Sequence, residues 1–292
     1  NNRVNMKNLN TLVEDIYDSI SVLNDGTALD VTEEDIDNFG NAMKDVLRNW
    51  SHPKERSSKN NLRMSNVGKP MRQLWYDLKS EKEAQLPLDS SVFIKFLYGH
   101  ILEEVVLLLV KLAGHDITSE QKEVDIDGVK GHMDCKIDGE VIDIKTASGF
   151  AFKKFRDGTL RDDDPFGYMS QISGYEEAEQ TNEGGFLALN KETGELALYI
   201  PEYLDKPNVK NKIKKIRNYL KFDEPPDRCY NSIPEGKKGN MKLPRGCVYC
   251  RHKNTCHKDA NDGEGLRVFK YSNKLVYLTN VVVEPRVPEI TR

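Results

Sequence analysis

Apolar residues recur at helical spacing through residues 9–23 and again through 33–50, and the spacing predicts an amphipathic helix in each. Thr32 and Asp35 are placed as a capping box that opens the second helix. Residues 51–66 are polar and predict a loop, and Gln73 to Lys79 a short helix or turn. From Phe93 to Leu112 the chain is apolar over most of a helical circumference, the pattern of a buried helix. The period then changes to two. Segments 120–126, 129–137 and 140–146 predict a three-stranded meander turning at Asp127-Gly128 and Asp138-Gly139. A helix over 164–180, strands over 185–190 and 195–200 around a turn at 191–194, and a basic helix over 206–221 follow. Residues 224–265 are rich in Pro, Gly and Cys, and 266–283 predict a terminal hairpin.

The second Asp-Gly turn sets a register. A type I′ turn needs positive φ at both central residues, which Asp and Gly tolerate. Ile137 then faces Glu140, Lys136 faces Val141, Cys135 faces Ile142 and Asp134 faces Asp143. Opposed residues share a sheet face, and Lys145, two residues past Asp143, shares it too. Two carboxylates and an ammonium converge on one patch, while Ile142 and Ile144 face away. Adjacent carboxylates repel, a hard divalent cation removes the repulsion, and a lysine beside it could orient or deprotonate an attacking water. The bland alternative is an exposed hairpin with solvated charges. Glu103 and Glu104 are the acids of the long apolar helix, where a charge needs a partner or a metal, or marks an exposed stripe. Gln171 and Tyr175, four apart, share a helix face and could contact phosphate, fix the lysine, or simply pack.

Composition narrows the class. The chain has 292 residues, 31% of them charged, and a mean hydropathy of −0.64, so a soluble protein with a substantial core is expected. No apolar run approaches a membrane span, and the first ten residues lack the apolar centre of a secretory signal; a cytoplasmic location is expected. The net charge of −4 does not suggest nucleic acid, but its distribution does. Lys206 to Lys221 is basic with no acidic residue, Arg48 to Arg72 is basic apart from Glu55, and the stretch after Glu235 is basic as far as Lys258. Phosphate binding needs such local tracks, although each alone could be a solvated face. Four of the five cysteines lie between 229 and 256. Cys247, Cys250 and Cys256 form C-x2-C-x5-C, and with Cys229 upstream they can bind a [4Fe-4S] cluster or a Zn²⁺ ion. His252 and His257 could also serve zinc. Cys135, on the apolar side of its strand, reads as core.

In order, Gly99 and Glu103 in G-x-x-x-E, Gly131-His132-Met133-Asp134, Asp143-Ile144-Lys145, and Gln171 and Tyr175 in Q-x-x-x-Y resemble the motifs of the PD-(D/E)XK nuclease superfamily. The last is similar to its RecB-like branch, which includes phage exonucleases. The likeness spans residues 62–258. It implies an α/β (α+β) restriction-endonuclease-like core, a central mixed β-sheet flanked by helices, over 62–222. A helical region over 1–61 would precede it, and a cysteine module over 223–265 and a hairpin with tail over 266–292 would follow. Asp134, Asp143 and Glu103 would hold one or two Mg²⁺ or Mn²⁺ ions with the Ile144 carbonyl, and Lys145 would activate or position the attacking water. Gln171 and Tyr175 would contact the substrate strand or support the lysine. Several members carry His at the first-helix position, which leaves His100 and Glu104 as alternatives to Glu103. The cysteine run resembles an iron–sulfur staple whose fourth cysteine usually precedes the first catalytic helix. Here Gly68 to Arg72 has none, and Cys229 would stand in. The expected function is a metal-dependent DNA nuclease acting on single- or double-stranded ends in phage recombination, repair or replication. A structure-specific endonuclease and a non-catalytic nucleic-acid-binding protein with a zinc module are the alternatives.

Overall fold

A computed structural model of the chain describes residues 7–52, 61–79, 90–272 and 274–290. Of the expected loop over 51–66, residues 53–60 lie outside the described residues, Ser51 ends a helix, and Met64 to Asn66 lie in another. In chain order the elements begin with α1 (Leu12–Ser21), α2 (Glu33–Ser51), α3 (Met64–Val67), α4 (Met71–Lys79) and the long α5 (Ser90–Leu112). Strands β1 (Ile117–Thr118), β2 (Glu123–Ile126), β3 (Val129–His132), β4 (Cys135–Ile137) and β5 (Glu140–Ala147) follow. Next come α6 (Gly149–Arg156), α7 (Tyr168–Glu179), β6 (Gly185–Asn190), β7 (Leu196–Tyr199) and α8 (Val209–Tyr219). The chain continues with β8 (Ile233–Glu235), β9 (Asn240–Lys242), α9 (Arg245–Val248), α10 (Lys253–Cys256), β10 (Arg267–Tyr271) and β11 (Lys274–Asn280). The capping box forms: the Thr32 hydroxyl accepts from the Asp35 amide, and the Asp35 carboxylate accepts from the Thr32 amide, each at 3.1 Å.

The centre of the first compact unit is a five-stranded mixed sheet ordered β1-β4-β5-β6-β7, with β5 and β6 parallel and the other neighbours antiparallel. Helices cover both faces. Cys135, Ile137, Ile142 and Ile144 pack with Leu12 and Ile16 of α1 and Val106, Leu107 and Val110 of α5. On the other face Val141 and Ala147 pack with Phe152 and Phe155 of α6 and Ile172 and Tyr175 of α7. Strand β5 is therefore buried from both sides, as a central strand with a parallel neighbour should be, and Asp143 lies inside that run.

Both Asp-Gly turns have positive φ at each central residue, 50° and 76° at Asp127-Gly128 and 51° and 89° at Asp138-Gly139. The β4–β5 register is the expected one, with Cys135 opposite Ile142, Lys136 opposite Val141 and Ile137 opposite Glu140. The single meander does not form. Strands β2 and β3 make a two-stranded sheet of their own, and the chain breaks at Met133-Asp134 before entering the main sheet as β4. Helix α5 is not buried throughout: its C-terminal half packs on the sheet, while Phe93, Ile94, Phe96 and Tyr98 are exposed. Helix α7 begins at Tyr168, later than expected, because Gly167 at φ +80° ends the preceding turn.

The chain divides into two compact units, Asn1–Gly68 with Leu86–Lys214, and Lys69–Gln85 with Lys215–Arg292. The four segments expected from the sequence are thereby regrouped. Leu12 and Ile16 share a core with the sheet, so the N-terminal helices belong to the first unit. Helix α4 belongs with the cysteine-bearing segment. The second unit has a four-stranded antiparallel sheet, β10-β11-β9-β8, over a small core of Phe269, Val276 and Leu278. Among the described residues no helix is long and apolar enough to cross a membrane.

Gly167 combines left-handed φ with close approach. A Cβ there would lie 2.2 Å from backbone atoms of Gly68, whereas one at Gly139, also at positive φ, would meet open space. Gly167→Ala should cost more than about 2 kcal/mol of stability and Gly139→Ala about 1 kcal/mol, as read from urea melts. Equal costs would show that the Gly68–Gly167 contact constrains nothing.

Candidate active site

Asp134 stands at the corner where the chain leaves β3 and enters β4. The antiparallel ladder ends at the Cys135–Ile142 pair, and beyond it the Asp134 carboxylate accepts the Ile144 amide at 2.8 Å. A side chain has replaced a ladder partner, which fixes Asp134 against the strand that carries Asp143 and Lys145. The neighbouring backbone holds the corner, with the Gln121 amide bonded to the Asp134 carbonyl at 2.9 Å and the Met133 amide to the Lys122 carbonyl at 3.1 Å.

Asp143 is 1% exposed. Its Oδ2 receives the Lys145 ammonium as an ion pair. Burial raises the Asp143 pKa above the usual carboxylate range and Lys145 opposes the rise. Asp134 is pushed up further by burial and by the Asp143 charge, with Glu103 adding to the effect. Burial disfavours the charged form of Lys145, yet Asp143 and Asp134 outweigh it and hold its pKa above the ordinary lysine value. Held as an ammonium by the two carboxylates, Lys145 can orient a water or neutralise charge.

Lys145 has a neighbour that sequence reasoning missed. Its Nζ lies 4.9 Å from the ring centroid of Tyr168, at the start of α7, a cation–π contact. Nothing in the spacing of Tyr168 marks it, because the contact depends on how α7 sits over β5. Gln171 and Tyr175 are brought together, as their spacing predicts, and reach the backbone that precedes Asp134. The Gln171 amide donates to the Tyr175 hydroxyl at 3.0 Å, which donates to the His132 carbonyl at 2.7 Å. Tyr175 is 1% exposed, and burial raises its pKa to about 12. The pair braces the strand end that delivers Asp134. Gly131 permits this, since a Cβ there would fall 2.4 Å from Met64 Cβ and 3.1 Å from the Tyr175 ring.

Of the first-helix candidates, the Glu103 charge acts on both Asp134 and Asp143. Its Oε1 accepts from Gln121 at 3.3 Å, and His100 lies 3.8 Å from its Oε2. Glu104 is raised by burial and by Glu103 and Glu120. Glu103 therefore belongs to the carboxylate group. Among the described residues no three His, Cys, Asp or Glu side chains are gathered, as they stand, into the grip of a single ion; Lys145 sits on Asp143, and Gln121 holds Glu103. The donor chemistry nonetheless suits a hard cation: three carboxylates within reach of one another's charge, one of them buried in the sheet. Asp134, Asp143 and Glu103, with the Ile144 carbonyl, are the groups that would hold it.

The basic helix contributes less free charge than its sequence suggests. Lys206, just before α8, is buried against Glu176 at 2.6 Å, Lys210 pairs with Glu177 at 2.5 Å, and Lys212 donates to the Gly68 carbonyl at 2.8 Å. All three lysines and their partners lie within the first unit.

In the second unit, Cys229, Cys247, Cys250 and Cys256 line one cavity of about 30 Å³, together with Arg72, Tyr76, Arg228, His252 and His257. Burial and the other three sulfurs push the Cys247 thiol up to about 12. Arg72 Nε donates to Cys256 Sγ at 3.2 Å, and Arg228 bonds the Cys256 carbonyl at 2.8 Å. Thiols that resist ionising together, with cations beside them, suit a soft metal or an iron–sulfur cluster. His252 is held by Asp77 at 2.7 Å, while burial lowers the His257 pKa, keeping its ring neutral. The fourth cysteine expected upstream is absent, yet Pro70, Arg72 and Gln73 of that segment line the cavity. Cys135 is core, fully buried, with its pKa raised by burial.

The chain matches no protein-family profile and no curated protein. One solved structure, that of SSO0001, aligns over 72% of this chain and 92% of its own length, at 17% identity and a TM-score of 0.36.

The raised carboxyl pKa values predict a pH dependence. A carboxyl whose folded pKa exceeds its unfolded value binds more protons when folded, so its contribution to stability is greatest at low pH and is lost as pH rises from about 4 towards the folded pKa. Without divalent metal, the melting temperature of the wild type should fall across that window more than that of Asp134→Asn. Mg²⁺ should raise the wild-type value at pH 7 and leave the variant unchanged. A wild type indifferent to Mg²⁺ at pH 7 would exclude a cation site at these carboxylates.

Proposed function

We propose that the chain is a divalent-metal-dependent DNA nuclease of the PD-(D/E)XK superfamily, an exonuclease of the RecB-like, phage type. One observation carries the reading: Asp134 and Lys145 converge on Asp143, which is buried in the middle of a central strand, with the Glu103 charge acting on both carboxylates. Structural ion pairs do not need a second carboxylate, half-buried beside a pair already neutral. Phosphodiester hydrolysis does need a place where anions are held close to an ammonium and to each other.

A bound Mg²⁺ or Mn²⁺ supplies positive charge for the phosphoryl oxygens and makes water a stronger acid. The chain does the rest. Asp134 is oriented by the Ile144 amide and Asp143 by its place in β5, so both carboxylates are set before substrate arrives. Lys145, kept protonated by the carboxylates and steadied by Tyr168, points the attacking water and offsets negative charge that builds on the phosphate. Gln171 and Tyr175 act through His132 by holding the strand end. Exposed lysines and arginines along the chain supply phosphate contacts, which predicts DNA affinity that falls steeply with salt.

The cysteine cavity supports a [4Fe-4S] cluster as the preferred occupant, with Zn²⁺ as the alternative. Iron and acid-labile sulfide in anaerobically purified protein, lost together in Cys250→Ser, are the expected result. Zinc at one ion per chain without iron would replace it.

End-labelled linear DNA tests the main reading. Wild type should degrade it in Mg²⁺, and Asp143→Ala and Lys145→Ala should each lose at least roughly a hundredfold of the rate, the loss typical of removing one preorganised charge stabiliser, while DNA binding survives. Cleavage retained by the double variant would overturn the assignment. Closed circular DNA left intact under the same conditions would mark an exonuclease rather than an endonuclease.

A further inference from the structure

Phe166 is 59% exposed. A lone exposed apolar side chain is ordinary, and what distinguishes this one is its company. Its ring stacks on Tyr168 with centroids 5.6 Å apart and an interplanar angle of 29°, and the Tyr168 ring in turn carries the Lys145 ammonium. Phe166 is thus one ring removed from the group assigned to the reacting phosphate. It is also held in place. Asp164 accepts the Gly167 and Tyr168 amides on Oδ1 at 2.8 and 2.9 Å and the Met169 amide on Oδ2 at 2.9 Å. With Gly167 in the left-handed region, this turn sets the direction in which the Phe166 side chain leaves the start of α7.

We propose that Phe166 is a base-stacking platform, and that the substrate at this centre is an unpaired nucleotide, from single-stranded DNA or a frayed end. The inference rests on the nuclease reading for where the scissile phosphate lies, and it deepens that reading by naming the substrate class. A paired base inside a duplex already has both faces covered by its neighbours, so a flat aromatic surface gains nothing from it. An unpaired base has a free face, and stacking it on an aromatic side chain is sequence-tolerant because every base offers a π surface. Tyr168 keeps the Phe166 ring from folding onto the protein, since its own ring already fills that side. One turn of chain therefore serves two purposes: Tyr168 faces inward and steadies Lys145, and Phe166 faces outward and receives the base.

The probe is a short single-stranded oligonucleotide carrying 2-aminopurine near one end, bound in Ca²⁺ so that binding is read without turnover. Wild type should quench the fluorophore, as stacking on an aromatic ring does. Phe166→Ala should lose the quenching and roughly five- to a hundredfold of the affinity, the range for one stacked base. Phe166→Trp should restore both and Phe166→Leu neither, while affinity for a blunt, GC-clamped duplex should be unchanged throughout. Circular dichroism checks that the variants fold, which the exposure of the residue favours. Wild-type quenching and affinity in Phe166→Ala would overturn the proposal and reduce Phe166 to a cover for Tyr168. The two readings fail separately: a chain that cleaves linear DNA but ignores Phe166→Ala loses the platform and keeps the nuclease. A chain whose quenching depends on Phe166 but which cleaves nothing in Mg²⁺ or Mn²⁺ loses the nuclease assignment and keeps a single-strand binding site.

Discussion

A carboxylate buried in the middle of a strand covered on both faces is the constraint on which the first unit is built. Removing a carboxylate from water costs several kcal/mol unless charge and hydrogen bonds replace the solvent. Asp143 meets the cost with Lys145, two residues along the same strand, and so passes the problem on, because the ammonium must be buried too. The ring of Tyr168 covers it, and Tyr168 can do so only if the start of α7 is fixed. Asp164 caps that start, and Gly167 gives it room against Gly68. The approach of α7 to the sheet is thus tied, link by link, to one buried acid.

Asp134 adds a second acid where the first is barely neutralised, and this step has no stabilising rationale. Replacing the group with well-packed apolar residues would be neutral or favourable for folding. The fold instead uses hydrogen bonds to keep Asp134 in position. The Ile144 amide points its carboxylate, and the chain from Gln171 through Tyr175 to the His132 carbonyl anchors the strand that carries it. The two residues of the Q-x-x-x-Y pattern matter here as a brace, a role that does not require them to touch substrate.

Much of this was legible because the signals are local. The Asp138-Gly139 turn determines its own φ values and, through them, the pairing of Cys135 with Ile142; the expected pair of Asp134 with Asp143 falls beyond the ladder, where the Asp134 carboxylate accepts the Ile144 amide instead. The capping box at Thr32 and Asp35 is equally local. What escaped depends on partners distant in the chain. The segment from Val129 to Ile137 has strand character throughout, and nothing within it says that it changes sheets at Met133-Asp134. The apolar pattern from Phe93 to Leu112 promises burial along its length, but only the half that meets the sheet is buried. The basic run from Lys206 to Lys221 looks like a phosphate track until Glu176, Glu177 and the Gly68 carbonyl claim three of its lysines. Tyr168 carries no mark in sequence because a cation–π contact has no spacing rule.

The second unit repeats the same physics with softer donors. Burial first, and then the other three sulfurs, disfavour the Cys247 thiolate, so four thiols in one cavity resist ionising together. The guanidinium of Arg72 on Cys256 Sγ favours the ionised form of that sulfur over the thiol. Helix α4 brings that arginine, and with it Asp77, which immobilises His252. The segment that lacks the expected cysteine therefore still reaches the cavity, contributing a cation where a thiolate would otherwise stand, and Cys229 completes the sulfur set from the other direction of the chain.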